Sequence, residues 1–238
     1  MGHLLSKSKY IRGLQCDRAL WLDVFNPRLA RYTAEQMRRF DRGREFEYAF
    51  KDTFPNGIDI SAELKRNVDA YPARTAQLLD DTDPSPFSSH LSPLTLFEAG
   101  FLFDDVLVLA DIVHRNDDGS LDIYEVKSGT VLSDTYKRDA ALQHYVISHC
   151  REVQRFSLVY RNPELPESPE APRIPYIIEE VTDYVAAQHD EIARNIAAMK
   201  EILSHGEPAT PTGAHCLEPY ACPYQHYCAQ GIRQMSLF

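Results

Sequence analysis

The chain has 238 residues, 44% of them hydrophobic, and a net charge of −10. That length fits one domain with a sizeable core and an appended module, and no apolar run is long enough to span a membrane. No N-terminal stretch has the pattern of a secretory signal, so a soluble, cytoplasmic protein with no membrane partner is expected.

In chain order, Leu14, Leu20, Trp21 and Leu22 predict a short helix around Cys16. Residues 1–51 carry 11 Lys/Arg against 6 Asp/Glu, a basic segment on an acidic protein that suits phosphate. Lys7, Lys9, Arg12 and Arg18 are its candidate phosphate contacts. Residues 33–53 read as a helix, with Thr33 as N-cap and Glu35 and Gln36 in the first turn. Met37, Phe40, Phe46, Ala49 and Phe50 give it an apolar side. Asn56-Gly57 is a turn, Ile58 to Ile60 a short strand, and Thr75 to Leu79 one or two helical turns. Residues 80–93 form a loop rich in Asp, Pro and Ser. Three strands follow over 95–103, 106–115 and 121–127. Residues 134–149 read as a helix and 154–160 as a strand. Residues 162–175 are a proline-rich loop, and 182–205 one amphipathic helix. Helix, three strands, helix, strand predicts an α/β sandwich with a mixed sheet.

The run from Asp111 to Glu125-Val126-Lys127 carries the chemistry. Val106 to Val113 is a continuous apolar run holding one acid. Asn116-Asp117-Asp118-Gly119 then turns the chain into the second strand, which is a hairpin pattern. A carboxylate inside a buried strand is costly unless it is partnered, so Asp111 needs a cation or a donor. Glu125 and Lys127 are two apart and share a strand face. Two carboxylates with an ammonium beside them are the inventory for metal-assisted phosphodiester hydrolysis. Glu98, a lone acid in its strand, either points into such a site or pairs with a basic side chain. Tyr136, Lys137 and Arg138, which open the next helix, are further candidate phosphate contacts.

The five cysteines divide into Cys16 near the start, Cys150 in a helix, and Cys216, Cys222 and Cys228 near the end. Three clustered cysteines with a distant fourth point to a metal or iron–sulfur site. The two five-residue gaps do not fit the tight pairs of zinc ribbons. Cys150 reads as a small buried hydrophobe.

With these residues in this order, the chain resembles the PD-(D/E)xK nuclease superfamily, in the RecB-like branch that carries an iron–sulfur cluster. That branch includes CRISPR-adaptation exonucleases and the AddB nuclease domain. The first motif of the branch is a helical Gly-x-x-x-His; here it is Gly43-Arg44-Glu45-Phe46-Glu47, with Glu47 where the histidine usually stands. Asp111 is the second motif, and Glu125-Val126-Lys127, continued by Ser128-Gly129, is the third. Gln143, followed soon by Tyr145, is the fourth.

The resemblance implies a restriction-endonuclease-like core with a mixed central sheet flanked by helices. It implies a site in which Asp111, Glu125 and the Val126 carbonyl, with Glu47, hold Mg²⁺ or Mn²⁺. Asp111, Glu125, Lys127 and Gln143 would be catalytic, with Lys127 orienting the attacking water. Cys16, Cys216, Cys222 and Cys228 would hold a [4Fe-4S] cluster that staples the two ends together. The implied organisation is an N-terminal segment at 1–30, a nuclease core at 31–205, a cysteine region at 206–230 and a tail at 231–238. The expected substrate is DNA, single-stranded or with single-stranded ends.

The tail reads Gln234-Met235-Ser236-Leu237-Phe238 and resembles the pentapeptide that binds the bacterial sliding clamp. A terminal Leu-Phe after a polar run suits an anchor for a partner's pocket. These features together predict a DNA exonuclease of repair or replication recruited by the clamp. The alternatives are a CRISPR-adaptation nuclease that trims DNA, and a non-catalytic adaptor bridging DNA and clamp.

Overall fold

The computed structural model describes residues 3–80, 93–163 and 176–235, apart from the side chains of residues 39, 40, 42 and 231–235. The predicted loops at 80–93 and 162–175, and the side chain of Phe40, fall largely or wholly outside the described residues. In chain order the elements are β1 (Leu5–Ser6), α1 (Lys7–Gln15), α2 (Asp17–Phe25), α3 (Ala34–Lys51), β2 (Ile58–Asp59), α4 (Ile60–Leu64) and α5 (Tyr71–Asp80). Then come β3 (Leu94–Phe103), β4 (Val106–Arg115), β5 (Leu121–Lys127), α6 (Asp134–Ser148), β6 (Val153–Arg161) and β7 (Tyr176–Glu180). The last are α7 (Thr182–Ala186), α8 (His189–Ser204) and α9 (Gln225–Met235). The chain divides into two compact units, one built from residues 1–38 and 190–238, the other from 39–189.

The second unit is α/β, with a mixed sheet in the order β2-β3-β4-β5-β6-β7 flanked by helices. Neighbouring strands are antiparallel except β2 with β3 and β5 with β6. The parallel pair β5–β6 is joined through α6, the connection that parallel neighbours require. The antiparallel pair β4–β5 is the predicted hairpin. Its turn closes through the Asn116 N–H on the Ser120 carbonyl at 2.9 Å, and Gly119 takes φ 88°, which glycine adopts without Cβ strain. The register pairs Phe97 with Ile112 and Val126 with Val159, and these four share one sheet face, where Phe46 and Phe50 of α3 cover them. Alternation therefore puts Asp111, Glu125 and Lys127 on the opposite face. Helix α5 approaches β3 closely at Gly100: a Cβ there would lie 2.5 Å from the Tyr71 Cβ and 2.9 Å from its backbone carbonyl carbon.

The first unit ties the chain's two ends together. A Cβ on Gly13 of α1 would lie 2.6 Å from the Met199 methyl of α8, so only glycine lets the pair sit this close unshifted. The Asn195 amide donates to the Tyr10 hydroxyl at 3.0 Å. The Gln15 amide donates to the carbonyls of His215, Glu218 and Tyr220 at 2.8, 3.1 and 2.7 Å. Ala19, Leu22 and Tyr224 form its buried cluster, with Cys16 and Cys222 packed against them.

Several expectations differ from the observed elements. Cys16 is a break between two helices, because its extended backbone (φ −167°, ψ 123°) ends α1 and starts α2. The stretch predicted as one helix from 182 to 205 is two. The Gln188 N–H bonds to the Val185 carbonyl, a tightened last turn, and helix resumes at His189. Helix α4 starts where a strand was expected to run on, since the Asp59 carboxylate caps the N–H groups of Ser61 and Ala62. Strand β7 lies directly after the proline-rich stretch and is partly exposed along its whole length, so it carries no run of buried residues to signal it.

Candidate functional site

Helix α3 and strands β3 and β4 bring carboxylate oxygens of Glu47, Glu98 and Asp111 within 4.8 Å of one another. Each arrives for a local reason. Thr33 and Gln36 cap α3 reciprocally, Thr33 N–H to Gln36 Oε1 at 2.8 Å and Gln36 N–H to Thr33 Oγ1 at 3.2 Å, and the helix then carries Glu47 in its last turns. Asp111 lies in mid-β4 and accepts the Val126 N–H at 2.8 Å, which fixes it against the strand that carries Glu125 and Lys127. Glu98 stands opposite Asp111 in the register, between the pairs Phe97–Ile112 and Ala99–Ala110. Its backbone is left-handed, φ 55°, a strained conformation for glutamate.

Two lysines answer this negative charge. Lys51, one helical turn after Glu47, places its Nζ 2.5 Å from Glu47 Oε1 and 2.8 Å from Glu98 Oε1. It is 6% exposed. Burial alone would push the Lys51 pKa down, but the two carboxylates outweigh it and hold the pKa up. Burial raises the Glu98 pKa, and Lys51 offsets part of that. Lys127 donates to Glu125 Oε1 at 2.6 Å and is also paired with Asp139 of α6. Here too burial acts downward and is overcome, by Asp139 first and then Glu125 and Asp111, so Lys127 stays an ammonium throughout the physiological range. One turn after Asp139, on the same face of α6, Gln143 is fully buried, and neither its Oε1 nor its Nε2 has a hydrogen-bond partner. Buried amides are almost always partnered, so an amide buried without one marks a candidate site residue.

Asp111, Glu125, Val126 and Lys127 are thus next to one another, with Glu47 and Glu98 adjoining Asp111. Sequence reasoning left Glu98 undecided and missed Lys51 and Asp139. The signals were the i, i+4 spacings of Glu47 with Lys51 and of Asp139 with Gln143. Tyr136 belongs to the same neighbourhood: its ring lies 5.6 Å from the Lys127 Nζ, and a Cβ on Gly129 would fall 2.9 Å from its hydroxyl. Lys137 lies over the Tyr184 ring at 5.4 Å. Asp122, on the same strand as Glu125, is instead buried in an ion pair with Arg155.

In the first unit, Cys16, Cys216, Cys222 and Cys228 are close enough to act on one another electrostatically. Burial raises the pKa values of Cys16, Cys222 and Cys228, backbone hydrogen bonds to Cys16 and Cys222 lower theirs in part, and Arg18 does the same for Cys228. Cys222 N–H donates to the Cys216 carbonyl at 2.8 Å, which folds the trio's segment back on itself. Among the described residues no three thiols come within 4.8 Å of one another. A tetrahedral zinc, with Zn–S near 2.3 Å, would draw them to about 4 Å apart. Cys150 belongs to the second unit and donates to the Leu102 carbonyl at 3.5 Å.

No protein-family model matches the chain, and no curated protein matches it. A solved structure titled "Crystal structure of SSO0001" is similar at 14% identity and a TM-score of 0.48, over 96% of this chain and 86% of that one.

The other predicted sites fall elsewhere. Arg12 pairs with Asp23 at 3.3 Å and Arg18 with Glu207 at 2.6 Å, and the Lys9 Nζ donates to the Leu4 carbonyl at 2.9 Å. These three cations therefore hold the first unit together. Gln234 and Met235 end α9; their side chains, and all of Ser236, Leu237 and Phe238, lie outside the described residues. Among the described residues no helix is long and apolar enough to cross a membrane. Three histidines of the second unit lie together. His144 Nδ1 lies 2.8 Å from His189 Nε2, and His149 stacks on Phe103 at 4.1 Å with His189 5.9 Å away.

Proposed function

We propose that the chain is a divalent-metal-dependent deoxyribonuclease, an exonuclease of the restriction-endonuclease-like kind, that cleaves DNA with single-stranded character. The observation that carries this reading is the meeting of Glu47, Glu98 and Asp111 oxygens beside Glu125 and Lys127. Hard cations such as Mg²⁺ and Mn²⁺ take oxygen ligands at about 2.0–2.6 Å, so donors held at this spacing fit such an ion. When bound, the ion supplies Lewis-acid polarisation of the phosphate and a more acidic water.

Asp111, Glu125, the Val126 carbonyl and Glu47 are the groups that would hold it. The Val126 N–H bond to Asp111 keeps the two strands in the register that this requires. Lys127, protonated and aimed by Glu125 and Asp139, donates hydrogen bonds and orients water or a phosphate oxygen at the site. Asp139 limits the swing of that ammonium. Gln143, one turn further on, offers both an N–H donor and a carbonyl acceptor to the same side of the sheet.

In the first unit, Cys16, Cys216, Cys222 and Cys228 are a thiolate donor set for a [4Fe-4S] cluster. Gln234 to Phe238 form the segment by which a bacterial sliding clamp would recruit the enzyme to repair or replication sites. The test is a digest of end-labelled single- and double-stranded DNA by protein purified without oxygen, with Mg²⁺ or Mn²⁺ and with chelator. Metal-dependent cleavage that Lys127→Ala removes is expected. Binding without cleavage would instead support a DNA–clamp adaptor.

A further inference from the structure

We propose that Lys51 is a built-in cation of the carboxylate site, standing where a second divalent ion would otherwise bind, so that the site takes one metal ion. This inference rests on the metal-dependent reading above. Glu47, Glu98 and Asp111 bring three negative charges into one small, partly buried volume, and nearby Glu125 adds a fourth. Sites with that many carboxylates commonly hold two divalent ions about 3.5–4 Å apart. Here Lys51 bridges two of the carboxylates, at 2.5 Å from Glu47 and 2.8 Å from Glu98.

Three features fix the ammonium there. Lys51 follows Glu47 by one turn of a continuous helix, so the pair is rigidly spaced. The Phe97 ring centroid is 5.5 Å from its Nζ, a cation–π distance that favours charge at this point. At 6% exposure, water has little room to replace the lost contacts were it to leave. The left-handed backbone at Glu98 supports the same view. A strained residue is held by its surroundings, and what Glu98 gains is its contact with Lys51. Lys51 touches ligands and not reacting atoms, so it is a positioning residue. It leaves Asp111, Glu125, the Val126 carbonyl and Glu47 to one ion, and it keeps Glu47 and Glu98 partly neutralised in that ion's absence.

The test counts ions. Titration of the full-length protein with Mn²⁺, followed by calorimetry and by electron spin resonance, should give one site for the wild type with no spin-coupled pair signal. Lys51→Arg, which keeps the cation, should also give one. Lys51→Met should give two, and its cleavage rate should change from first- to second-order dependence on Mn²⁺ below saturation. Two coupled ions in the wild type would overturn the proposal, and that measurement needs no variant to fold. One ion in both the wild type and a folded Lys51→Met protein would also overturn it while leaving the nuclease reading intact. A wild type that binds no Mn²⁺ would remove the metal-dependent reading itself, and this inference with it.

Discussion

The carboxylate site of the second unit and the cysteine quartet of the first are both gatherings of candidate ligands, and they solve opposite problems. Carboxylates are charged when the chain folds, so bringing Glu47, Glu98, Asp111 and Glu125 together demands positive charge at once. Lys51 and Lys127 provide it and so belong to the fold as much as to any chemistry. Burial raises the thiol pKa values of Cys16, Cys222 and Cys228, which favours the neutral form, and Cys16 and Cys222 are small enough to pack beside Ala19, Leu22 and Tyr224. Nothing needs to stand in for a ligand there. One site is stabilised by counter-charge in advance; the other is held by packing and by the Gln15 amide.

Removing the counter-charge is the sharpest way to break this comparison. Lys127→Ala leaves Glu125 and Asp139 facing each other without a cation and takes the orienting donor from the site. DNA cleavage should fall by roughly 10³-fold or more. Glu125→Ala should fall equally far, and the double variant only slightly further, since groups acting as a unit are not additive. Rates on an end-labelled oligonucleotide, with circular dichroism to confirm folding, check this; a Lys127→Ala rate within tenfold of wild type would remove Lys127 from the mechanism.

The two sites also differ in how far the sequence revealed them. Asp111, Glu125 and Lys127 were legible because a hairpin is local: apolar runs, an Asx-Gly turn and period-two alternation place all three on one face. Lys51 and Asp139 were not, because each meets its partners only after a helix docks on the sheet. An i, i+4 pair such as Glu47 and Lys51 reads in sequence as an ordinary surface pair. Glu98 was ambiguous because alternation alone does not show a left-handed residue inside a strand. The cysteines were legible as a set but not as two helices meeting at Cys16, since a helix break without Pro or Gly leaves no mark. Arg12 and Arg18 misled for a related reason, because Asp23 and Glu207, which neutralise them, are distant in sequence or separated by a turn.

The packed thiols give the next largest effect. A cluster bound through Cys16 and the C-terminal trio would cross-link segments about 200 residues apart. Losing a cross-link over so long a loop costs roughly 2–5 kcal/mol. Cys16→Ser purified without oxygen should therefore unfold at clearly lower denaturant than wild type, and should lose visible absorbance. Cys150→Ser should change the midpoint little, as that thiol makes only a 3.5 Å contact to a carbonyl. Equal midpoints for Cys16→Ser and wild type, with both colourless, would leave the quartet as packing alone.

The histidine trio shows that a buried group without counter-charge behaves like the thiols. Burial, with His189 and His149 opposing added charge, lowers the His144 pKa from 6.5 to about 4. His144 therefore folds neutral, with the Phe156 ring edge-on to it and the Tyr145 ring edge-on to its partner His189. A depressed histidine pKa means that the unfolded chain takes up the proton first. The stability is whole above pH 6.5, falls as the pH drops from 6.5 toward 4, and levels off below. A shift of this size corresponds to roughly 3 kcal/mol across that window. Urea unfolding at pH 7 and pH 5 should show the loss in wild type and a smaller one in His144→Leu. An identical pH dependence in the two proteins would assign the effect to other groups.

The smallest effect expected on the chemistry comes from the tail, and it tests whether recruitment and catalysis are separate. Gln234 to Phe238 follow the last cysteine in sequence. Deleting them should leave turnover on short oligonucleotides within twofold of wild type. Binding to a bacterial sliding clamp is another matter. A pentapeptide that must be ordered on binding and buries little area reaches micromolar affinity, about −8 kcal/mol at 1 µM. That is enough to raise the local concentration of enzyme on clamp-loaded DNA, and not enough to hold it there permanently. Deletion should abolish clamp binding in a titration, and should remove any stimulation by clamp on long primed DNA, while the oligonucleotide rate stays the same. If the deleted protein bound the clamp as tightly as the full chain, or if neither bound, the tail would have no part in recruitment. A fall in the oligonucleotide rate would instead show that the tail contributes to the second unit's chemistry.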